Sequence, residues 1–457
     1  MKESLVRDYF DRAAFSYGKR QRKFYSFHRG IADFYASIIP EGMAVLEVGC
    51  ATGGLLNLLK PREGVGIDIS SAMIGLAKNK YPHLSFFCAS LSDFASYGPF
   101  DYIVLSNLLD YSDDLIDLFR LLKPRLAPHT KIIITTVNPL WQPIIWFLER
   151  SGLKERDPLR NFITNRDVIN ILNILDYETI EYGYRLPVPF YIPFFSGLLN
   201  RLISRLPVLN NLCLLQYIVA RDRQPYRCSS CSVIVPCFNE EKNIQACLNS
   251  LPEFGAETEI IVVDDGSTDA TADRVREIAS VMPSVRLISY APNRGKGYAL
   301  QVGFKECRGD VVIILDADMS VSPREAPRFF APIAEGKAEF VNGTRMIYPI
   351  EKRAMSFLRF AGNKFFGIVM SILMGQRNTD VLCGTKSFLR RYLPYIRMGR
   401  CRWGDFDLLL GAAKLKMKMV EMPVHYNARV AGKSKMRLLR DSLHFLKVCW
   451  RGFIELG

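Results

Sequence analysis

The chain has 457 residues, of which 49% are hydrophobic and 23% charged, and this is enough material for two or more globular domains. Its formal net charge of +14 falls mostly after residue 220 and favours phosphate-rich ligands or an anionic membrane surface, while the lack of a recognition motif argues against nucleic acid. The 11 scattered cysteines and the absence of an evident signal peptide predict a reducing, cytoplasmic setting. Because no run of about 18 apolar residues occurs, we expect no membrane-spanning helix.

Residues 1–40 have the pattern of amphipathic helix, and a strand, a glycine-rich turn and a helix follow. The turn contains Gly49, Ala51 and Gly53, and the next strand ends in Asp68, about 20 residues after Glu47. Such a turn brings the backbone close to a ligand at a helix N-terminus, and an acidic residue in the position of Asp68 accepts hydrogen bonds from ribose hydroxyls. The pattern therefore predicts a nucleoside-binding, doubly wound α/β sheet.

Over residues 1–220 the sequence resembles the class I S-adenosylmethionine-dependent methyltransferases. The motifs are E-V-G-C-A-T-G at 47–53, D-I-S at 68–70, F-D-Y-I-V-L at 100–105 and L-L-K-P at 121–124. The resemblance implies a Rossmann-like sheet that binds S-adenosylmethionine through Glu47, Gly49, Ala51, Gly53, Asp68, Ser90 and Leu91.

One departure concerns the chemistry of methyl transfer. Many relatives carry a His after the fourth strand, where this sequence reads Leu109-Asp110-Tyr111. No general base is therefore evident, although methyl transfer depends mostly on alignment. We expect methylation of a small molecule or glycolipid; the alternative is a non-catalytic domain that senses the cofactor.

The following segment marks the end of the first domain. Residues 186–193 are rich in proline and cannot form a regular helix or central strand. Residues 198–220 are apolar with Arg201 and Arg205, so they either lie at a lipid interface or cover the sheet. The polar stretch 221–230 is the predicted linker, which divides the chain into domains 1–220 and 231–457.

The second domain has a series of short apolar strands, each followed by polar residues. These are Pro236, Asn239 and Glu240 after the first strand, Asp264 and Asp265 after the second, Lys296 after the third, and Asp316 and Asp318 after the fourth. Because the strands alternate with helices, we expect their carboxyl ends to meet at one edge. Asp316 and Asp318 project in the same direction and suit Mg²⁺ or Mn²⁺ bridging two phosphates, with a solvated Asp-x-Asp turn as the alternative.

Over residues 231–435 the sequence resembles the family-2 glycosyltransferases, in the branch of the dolichyl-phosphate glucosyl- and mannosyltransferases. The motifs are V-I-V-P-C-F-N-E-E, V-V-D-D-G-S-T-D, N-R-G-K-G, D-A-D, N-G-T-R, T-D-V-L-C-G-T-K, R-W-G-D-F-D-L-L and R-V-A-G-K-S-K. The resemblance implies a domain with a GT-A sheet, and an enzyme that transfers a hexose to a polyprenyl phosphate with inversion of the anomeric configuration. The favoured donor is UDP-glucose, with GDP-mannose as a second choice.

The resemblance also implies roles for individual residues. The nucleotide sugar would contact Pro236, Asn239, Glu240, Asp264, Asp265, Lys296 and Asp316, and the metal would contact Asp316 and Asp318. The expected catalytic residues are Asp318, Arg345, Asp380 and Arg429. The acceptor phosphate would contact Arg429, Lys433, Ser434 and Lys435.

Two points are left open in this domain. Asp380 can position the acceptor or the metal, act as a base if the acceptor is a hydroxyl, or be a buried structural carboxylate. A transferase of glycan assembly, acting on a sugar hydroxyl, is the alternative to a lipid-phosphate acceptor. The segment W-G-D-F-D-L-L is one residue shorter than in relatives, with Asp407 in place of Glu.

Apolar residues recur at spacings of three and four near the C-terminus: Met436, Leu439, Leu443, Leu446, Trp450 and Phe453. Basic residues lie off this stripe, among them Lys447 and Arg451. Such a helix suits peripheral attachment at the inner membrane face, or it packs onto the transferase domain.

Overall fold

The computed structural model describes residues 2–23, 25–94, 98–154, 156–157, 160–186, 209–348, 357–401, 404–426 and 438–456. Outside these residues lie Arg402 and Trp403 of the R-W-G-D-F-D-L-L motif and the predicted functional residues Arg429, Lys433, Ser434 and Lys435. The chain forms two compact units, Met1–Gln224 and Pro225–Gly457. Within the described residues, no helix combines the length and hydropathy needed to cross a membrane.

The first unit contains one seven-stranded sheet flanked by helices. Its strands are β1 (Ala44–Val48), β2 (Glu63–Asp68), β3 (Ser85–Cys88), β4 (Phe100–Ser106), β5 (Leu126–Val137), β6 (Tyr177–Arg185) and β7 (Leu215–Asp222). Its helices are α1 (Lys2–Lys23), α2 (Tyr25–Ile38), α3 (Gly54–Leu58), α4 (Ser71–Lys80), α5 (Leu115–Leu122), α6 (Gln142–Arg150) and α7 (Asn165–Ile174). The strand order is β3-β2-β1-β4-β5-β7-β6.

The five strands from β3 to β5 are parallel, and β7 enters antiparallel between β5 and β6. All of β1 is buried, as expected for a parallel strand covered on both faces. The prediction that 198–220 lies at a lipid interface or covers the sheet is wrong for its last residues, because Leu215–Asp222 is a fully buried strand within the sheet. Its continuous apolar run did not distinguish a buried strand from a helix.

The second unit also contains a seven-stranded sheet. Its strands are β8 (Ser230–Cys237), β9 (Glu257–Asp264), β10 (Val285–Ser289), β11 (Val311–Ile314), β12 (Phe340–Thr344), β13 (Lys386–Leu389) and β14 (Met419–Pro423). Its helices are α8 (Ile244–Asn249), α9 (Thr271–Val281), α10 (Lys296–Glu306), α11 (Ala326–Ala334), α12 (Phe357–Met374), α13 (Asp405–Lys414) and α14 (Leu438–Glu455). The strand order is β10-β9-β8-β11-β13-β12-β14.

The order of the strands brings the predicted polar residues to one edge. Strands β9, β8 and β11 are neighbours and parallel, with Asp264 paired to Cys237 and Ile314 paired to Ile234. The residues that follow Ile314 therefore emerge beside the ends of β8 and β9. The two mixed sheets confirm the predicted α/β class.

The segment between the two sheets is shorter than the predicted linker 221–230. Arg221 and Asp222 continue β7 and are buried, and β8 already begins at Ser230. Arg221 lies within the fold because it donates hydrogen bonds to Glu178 on the neighbouring strand β6. The charged Arg221 is therefore part of a buried ion pair and not of a polar linker. Only residues 223–229 connect the two sheets.

Candidate active sites

A cavity of about 1220 Å³ opens at the carboxyl edge of the first sheet. Six of the seven residues expected to bind the cofactor line it: Glu47, Gly49, Ala51, Asp68, Ser90 and Leu91. The seventh, Gly53, does not; it has φ 71°, and a Cβ there would lie 2.4 Å from Cζ of Phe86. Gly53 therefore allows the turn to adopt its left-handed backbone conformation and to pack closely against Phe86.

Asp68 is the central polar residue of this cavity. Its Oδ2 accepts a hydrogen bond from the Ala51 amide at 2.8 Å, and its Oδ1 accepts one from the Ser70 amide at 2.9 Å. Burial raises the pKa of Asp68, and the two amides oppose this effect. Each carboxylate oxygen has a second lone-pair direction, so the geometry leaves capacity for ribose hydroxyls.

The sequence did not predict two other contributions to the cavity. Tyr9, Phe10 and Tyr17 of α1 line its wall. Asn107 follows β4 with φ 52° and lines the cavity, and its buried Oδ1 has no hydrogen-bond partner among the described residues. A buried acceptor without a partner needs a donor from a ligand or water, which fits the amino groups of S-adenosylmethionine. The spacing of apolar residues in α1 could not predict that they line a cavity, because the same spacing occurs in helices that pack on a hydrophobic core.

Glu47 lies in the cavity floor at the end of β1 and is almost fully buried. Its Oε2 accepts a hydrogen bond from the Leu56 amide at 3.1 Å. Burial raises its pKa to about 8, the Leu56 amide opposes this rise, and the charge of Asp68 adds to it. Glu47 is therefore mostly protonated at neutral pH.

We expect Glu47→Gln to stabilise the chain at alkaline pH. A carboxyl group whose pKa is raised in the folded state favours folding at low pH, and this contribution is lost as the pH rises from about 4.5 to about 8. Because one pKa unit corresponds to about 1.4 kcal/mol, the loss amounts to several kcal/mol. Chemical unfolding of the parent and of Glu47→Gln at pH 5 and pH 8 measures this loss. An equal decline in the free energy of unfolding of the two proteins between these pH values would contradict the expectation.

In the second unit, Asp264 and Asp265 have structural partners at the end of β9. Asp264 accepts hydrogen bonds from the Ser267 amide at 3.0 Å and from the Ser289 hydroxyl at 2.8 Å. Asp265 accepts four, donated by the Tyr290 hydroxyl, the Asn293 side chain and the amides of Arg294 and Gly295. These four bonds place the turn that leads into α10 at Lys296.

The loop after β8 is bound to the loop after β9. The Asn239 amide donates to the Ser267 hydroxyl at 2.9 Å, and the Thr268 amide donates to Asn239 Oδ1 at 2.8 Å. The Glu240 amide donates to the Thr271 hydroxyl at 2.8 Å. Asn239 and Glu240 therefore hold two loops of the strand edge together, next to the exposed part of Pro236.

Lys296 forms ion pairs with two carboxylates at this edge. Its Nζ lies 2.7 Å from Asp316 Oδ1 and 3.6 Å from an Asp405 oxygen. Burial alone would lower the pKa of Lys296, but the charges of Asp316, Asp405 and Asp318 raise it above its ordinary value. The sequence motifs contain all four residues, yet the proximity of Asp405 to the D-A-D motif was not predicted.

The D-A-D segment lies directly after β11. Asp318 is buried and its Oδ1 accepts a hydrogen bond from the Ser320 amide at 3.0 Å, whereas the Asp316 side chain is 33% exposed. Gly384 packs against this segment so closely that a Cβ there would lie 1.9 Å from Asp316 Oδ2. Among the described residues, no group of three or more His, Cys, Asp or Glu side chains has the geometry to hold a metal ion.

Arg345 and Asp380 form a buried ion pair. Arg345 donates to both oxygens of Asp380 from Nε and Nη2 at 2.7 Å each, and the Asn363 side chain donates to Oδ1 at 2.6 Å. Burial alone would raise the pKa of Asp380, but Arg345 and these hydrogen bonds hold it below its ordinary value. This arrangement favours a positioning role for Asp380 over that of a general base. The one sequence feature that could have indicated this contact is the polar Asn363 within a mostly apolar helix.

The C-terminal helix α14 is bound to helix α13 through Asp407. Arg451 donates to Asp407 Oδ1 at 2.8 Å, and the amides of Arg400 and Cys401 donate to Oδ2. Phe445 and Val448 face the core. The side chains of Leu439 and Leu443 lie outside the described residues, as does Met436.

Comparison with protein families separates the chain into the same two parts. Residues 18–182 match a model described as a methyltransferase domain. Residues 232–397 match the model described as glycosyl transferase family 2.

The chain is similar to undecaprenyl-phosphate 4-deoxy-4-formamido-L-arabinose transferases of Pseudomonas fluorescens (strain Pf0-1) and Proteus mirabilis (strain HI4320). The first is 30% identical over 225 residues, which are 48% of this chain and 63% of the relative. The second is 29% identical over 214 residues, which are 46% and 63%. The chain thus spans less than two thirds of the length of these relatives.

Among solved structures, the chain is similar to glucosyl-3-phosphoglycerate synthase from Mycobacterium tuberculosis in complex with Mn²⁺, UDP-glucose and phosphoglyceric acid. The identity is 21% and the TM-score 0.40, over 49% of this chain and 80% of that one.

Proposed function

We propose that this chain, a fusion of a methyltransferase domain with a glycosyl transferase family 2 domain, transfers a hexose from a nucleotide sugar to a polyprenyl phosphate. The names of the relatives support undecaprenyl phosphate as the type of acceptor. The main structural support is the pairing of Asp316 and Asp405 with Lys296, whose pKa the charge of Asp318 also raises. UDP-glucose is the first donor to test and GDP-mannose the second.

The residues at the strand edge fit a divalent cation bound together with a diphosphate. Mg²⁺ is commonly held by one or two carboxylates plus substrate phosphates, so a pair such as Asp316 and Asp318 suffices without a third protein ligand. Lys296 holds Asp316 at 2.7 Å and is positioned to neutralise phosphate charge. A bound Mg²⁺ or Mn²⁺ would neutralise charge on the diphosphate leaving group.

Arg345 is the proposed residue for the acceptor or leaving phosphate. Asp380 fixes its guanidinium, and Tyr426 lies against it with the ring centroid 4.9 Å from Cζ. A phosphate monoester is largely ionised at neutral pH, since its second pKa is about 6, so it needs orientation more than a base. Arg429, Lys433, Ser434 and Lys435 remain proposed contributors to the same acceptor site.

The nature of the product tests the proposal. The purified chain is incubated with UDP-[¹⁴C]glucose or GDP-[¹⁴C]mannose and undecaprenyl phosphate in detergent, and the products are partitioned into butanol. We expect label in the butanol phase that depends on the lipid phosphate. Label only in water-soluble glycan, with glycan supplied as acceptor, would instead support transfer to a sugar hydroxyl.

For the first unit we propose binding of S-adenosylmethionine and methylation of a small molecule or glycolipid. Asp68, Ser90 and the unpartnered Oδ1 of Asn107 supply acceptors that fit this cofactor, which would bring the transferable methyl group. Calorimetry with S-adenosylhomocysteine tests binding, and mass spectrometry tests for a methylated product. Tight binding without any product would favour the sensor alternative.

We further propose that the second unit lies peripherally at the inner membrane face through α12 and α14. The two helices pack together, with the rings of Phe366 and Phe445 5.2 Å apart. Their outer faces expose large apolar side chains: Phe365, Ile368, Ile372, Leu446, Trp450 and Ile454. Lys364 and Lys447 are also exposed and complement anionic lipids.

We expect Leu446→Ser combined with Trp450→Ser to weaken binding to anionic vesicles at least about tenfold, because each large apolar side chain buried in lipid contributes about 1.5–3 kcal/mol. Sedimentation with phosphatidylglycerol vesicles measures the change. Val281→Ser, an exposed apolar residue at the end of α9, is the matched control. Equal binding of the double variant and the control would contradict the proposed surface.

A further inference from the structure

Helix α6 forms one wall of the cavity in the first unit and is apolar on both of its sides. Ile145 and Leu148 line the cavity, one and two turns after Trp141. On the opposite side Trp146 is 73% exposed and Phe147 is 69% exposed. Neighbouring Leu140, Ile144 and Leu153 are also exposed. A surface helix normally turns a polar face to solvent, so this outer face has the character of an interaction surface.

The same cavity has a polar cluster that the cofactor residues do not include. The Tyr111 hydroxyl donates to Asp157 Oδ2 at 2.5 Å and accepts from Arg160 at 3.0 Å. Asp157 is more than nine-tenths buried, and its Oδ1 has no hydrogen-bond partner among the described residues. All three residues line the cavity. A buried carboxylate oxygen of this kind needs a donor, such as the hydroxyl of a second ligand.

Behind this cluster lies Asp110, which is fully buried with its carboxylate 3.8 Å from Arg160 Nε. Burial raises its pKa to about 7, and the charge of Arg160 opposes that rise. Arg160 is thus held between Asp110 and Asp157, and two carboxylates facing one guanidinium disfavour an anion here. The cluster therefore suits a neutral group that donates a hydrogen bond.

The size of the cavity allows such a second ligand. A site for one drug-sized molecule typically measures about 300–1000 Å³, and this cavity measures about 1220 Å³. It combines a polar recess at Asp157 with an apolar wall at α6, which matches a molecule that has a polar head and an apolar chain. Arg150, at the end of α6, is exposed and adds positive charge beside the exposed aromatic residues of the helix, whereas Lys154 is paired with Glu149.

We propose that the methyl acceptor of the first unit is an amphiphilic lipid, taken from a bilayer surface on which the outer face of α6 docks. The hydroxyl of its head group donates a hydrogen bond to Asp157, and its chain lies along the apolar wall. Trp and Phe beside basic residues are the composition that favours a lipid interface. The proposal rests on the proposed methyltransferase function, and it names the class of substrate.

Hydrogen exchange of the full chain, with and without vesicles of phosphatidylglycerol and phosphatidylcholine, tests the docking surface. We expect vesicles to slow exchange in the peptide that covers 142–150 several-fold, and Trp146→Ser combined with Phe147→Ser to abolish the slowing. Ile174→Ser is the matched control, because Ile174 is an exposed apolar residue of α7. Unchanged exchange in the parent, or slowing that persists in the double variant, would overturn the proposal.

Affinity for S-adenosylhomocysteine separates this inference from the function on which it rests. The double variant should bind it as the parent does, because neither altered side chain lines the cavity. If the Trp146→Ser, Phe147→Ser variant and the Ile144→Ser variant both fail to fold and to bind S-adenosylhomocysteine, another part of the chain covers this face. That result would overturn the proposed docking. Absent binding in the parent would instead refute the methyltransferase function while leaving the exchange result to decide on the surface.

Discussion

Replacing Asp318 with Asn should lower sugar transfer on the order of 10²–10³-fold, the cost of removing one group that stabilises charge at a reacting centre. Asn keeps the size of the side chain and an oxygen that accepts the hydrogen bond of the Ser320 amide. It removes the negative charge that a divalent cation requires. The variant should therefore fold normally and lose turnover, which assays of labelled sugar together with thermal unfolding would measure.

Asp310→Asn is the matched control because Asp310 precedes β11, at the opposite end of the strand that leads to Asp318. Its carboxylate accepts from the Ser230 hydroxyl and has no place in the proposed site. Transfer at the parental rate by Asp318→Asn would show that no metal is bound through this residue. Equal losses in both variants would point to a general defect of the strand.

Replacing Asp380 with Asn should both destabilise the second unit and reduce transfer. Asp380 is fully buried against Arg345, and removing one partner of a buried ion pair costs about 3–5 kcal/mol because the other charge remains uncompensated. The Arg345 guanidinium would also keep at most one of its two bonds at 2.7 Å, because an amide has a single acceptor oxygen, and its orientation would no longer be fixed. Denaturant unfolding and the transfer assay measure the two effects separately.

A double-mutant cycle distinguishes positioning from direct catalysis. Arg345→Gln in the Asp380→Asn background removes the uncompensated charge, so stability should recover in part while transfer stays low. If Asp380 acted as a base, its loss would lower transfer even where the orientation of Arg345 is retained, and the pH profile would lose its acidic limb. Normal stability of Asp380→Asn would contradict the structural role.

The strand ends of the second domain could be predicted because they depend on local patterns. An unbroken β-branched run before Asp316 predicts a buried parallel strand, and the topology of alternating strands and helices then determines the edge. In the first domain, the strand, the glycine-rich turn after Glu47 and the position of Asp68 at the end of the next strand could be predicted in the same way. These features follow from strand geometry and from the order of elements along the chain.

The partners of individual side chains could not be predicted in this way. Asp265 receives its four hydrogen bonds from residues 290–295, whose position depends on the packing of β10 and α10. Asp380 was expected to position the acceptor or the metal, act as a base or be structural, and the sequence did not predict that its carboxylate accepts a hydrogen bond from Asn363 in α12. The exposed outer face of α6 could not be predicted, because a short apolar run in a sequence does not reveal which side of the helix faces solvent.

The most direct test of the central claim is the affinity of the purified chain for UDP with and without Mn²⁺, measured by calorimetry. If the acidic strand ends and Lys296 form one metal-assisted diphosphate site, Mn²⁺ should strengthen UDP binding in the parent and have little effect in Asp318→Asn. UDP binding that does not depend on the metal in either protein, or no binding at all, would contradict the account.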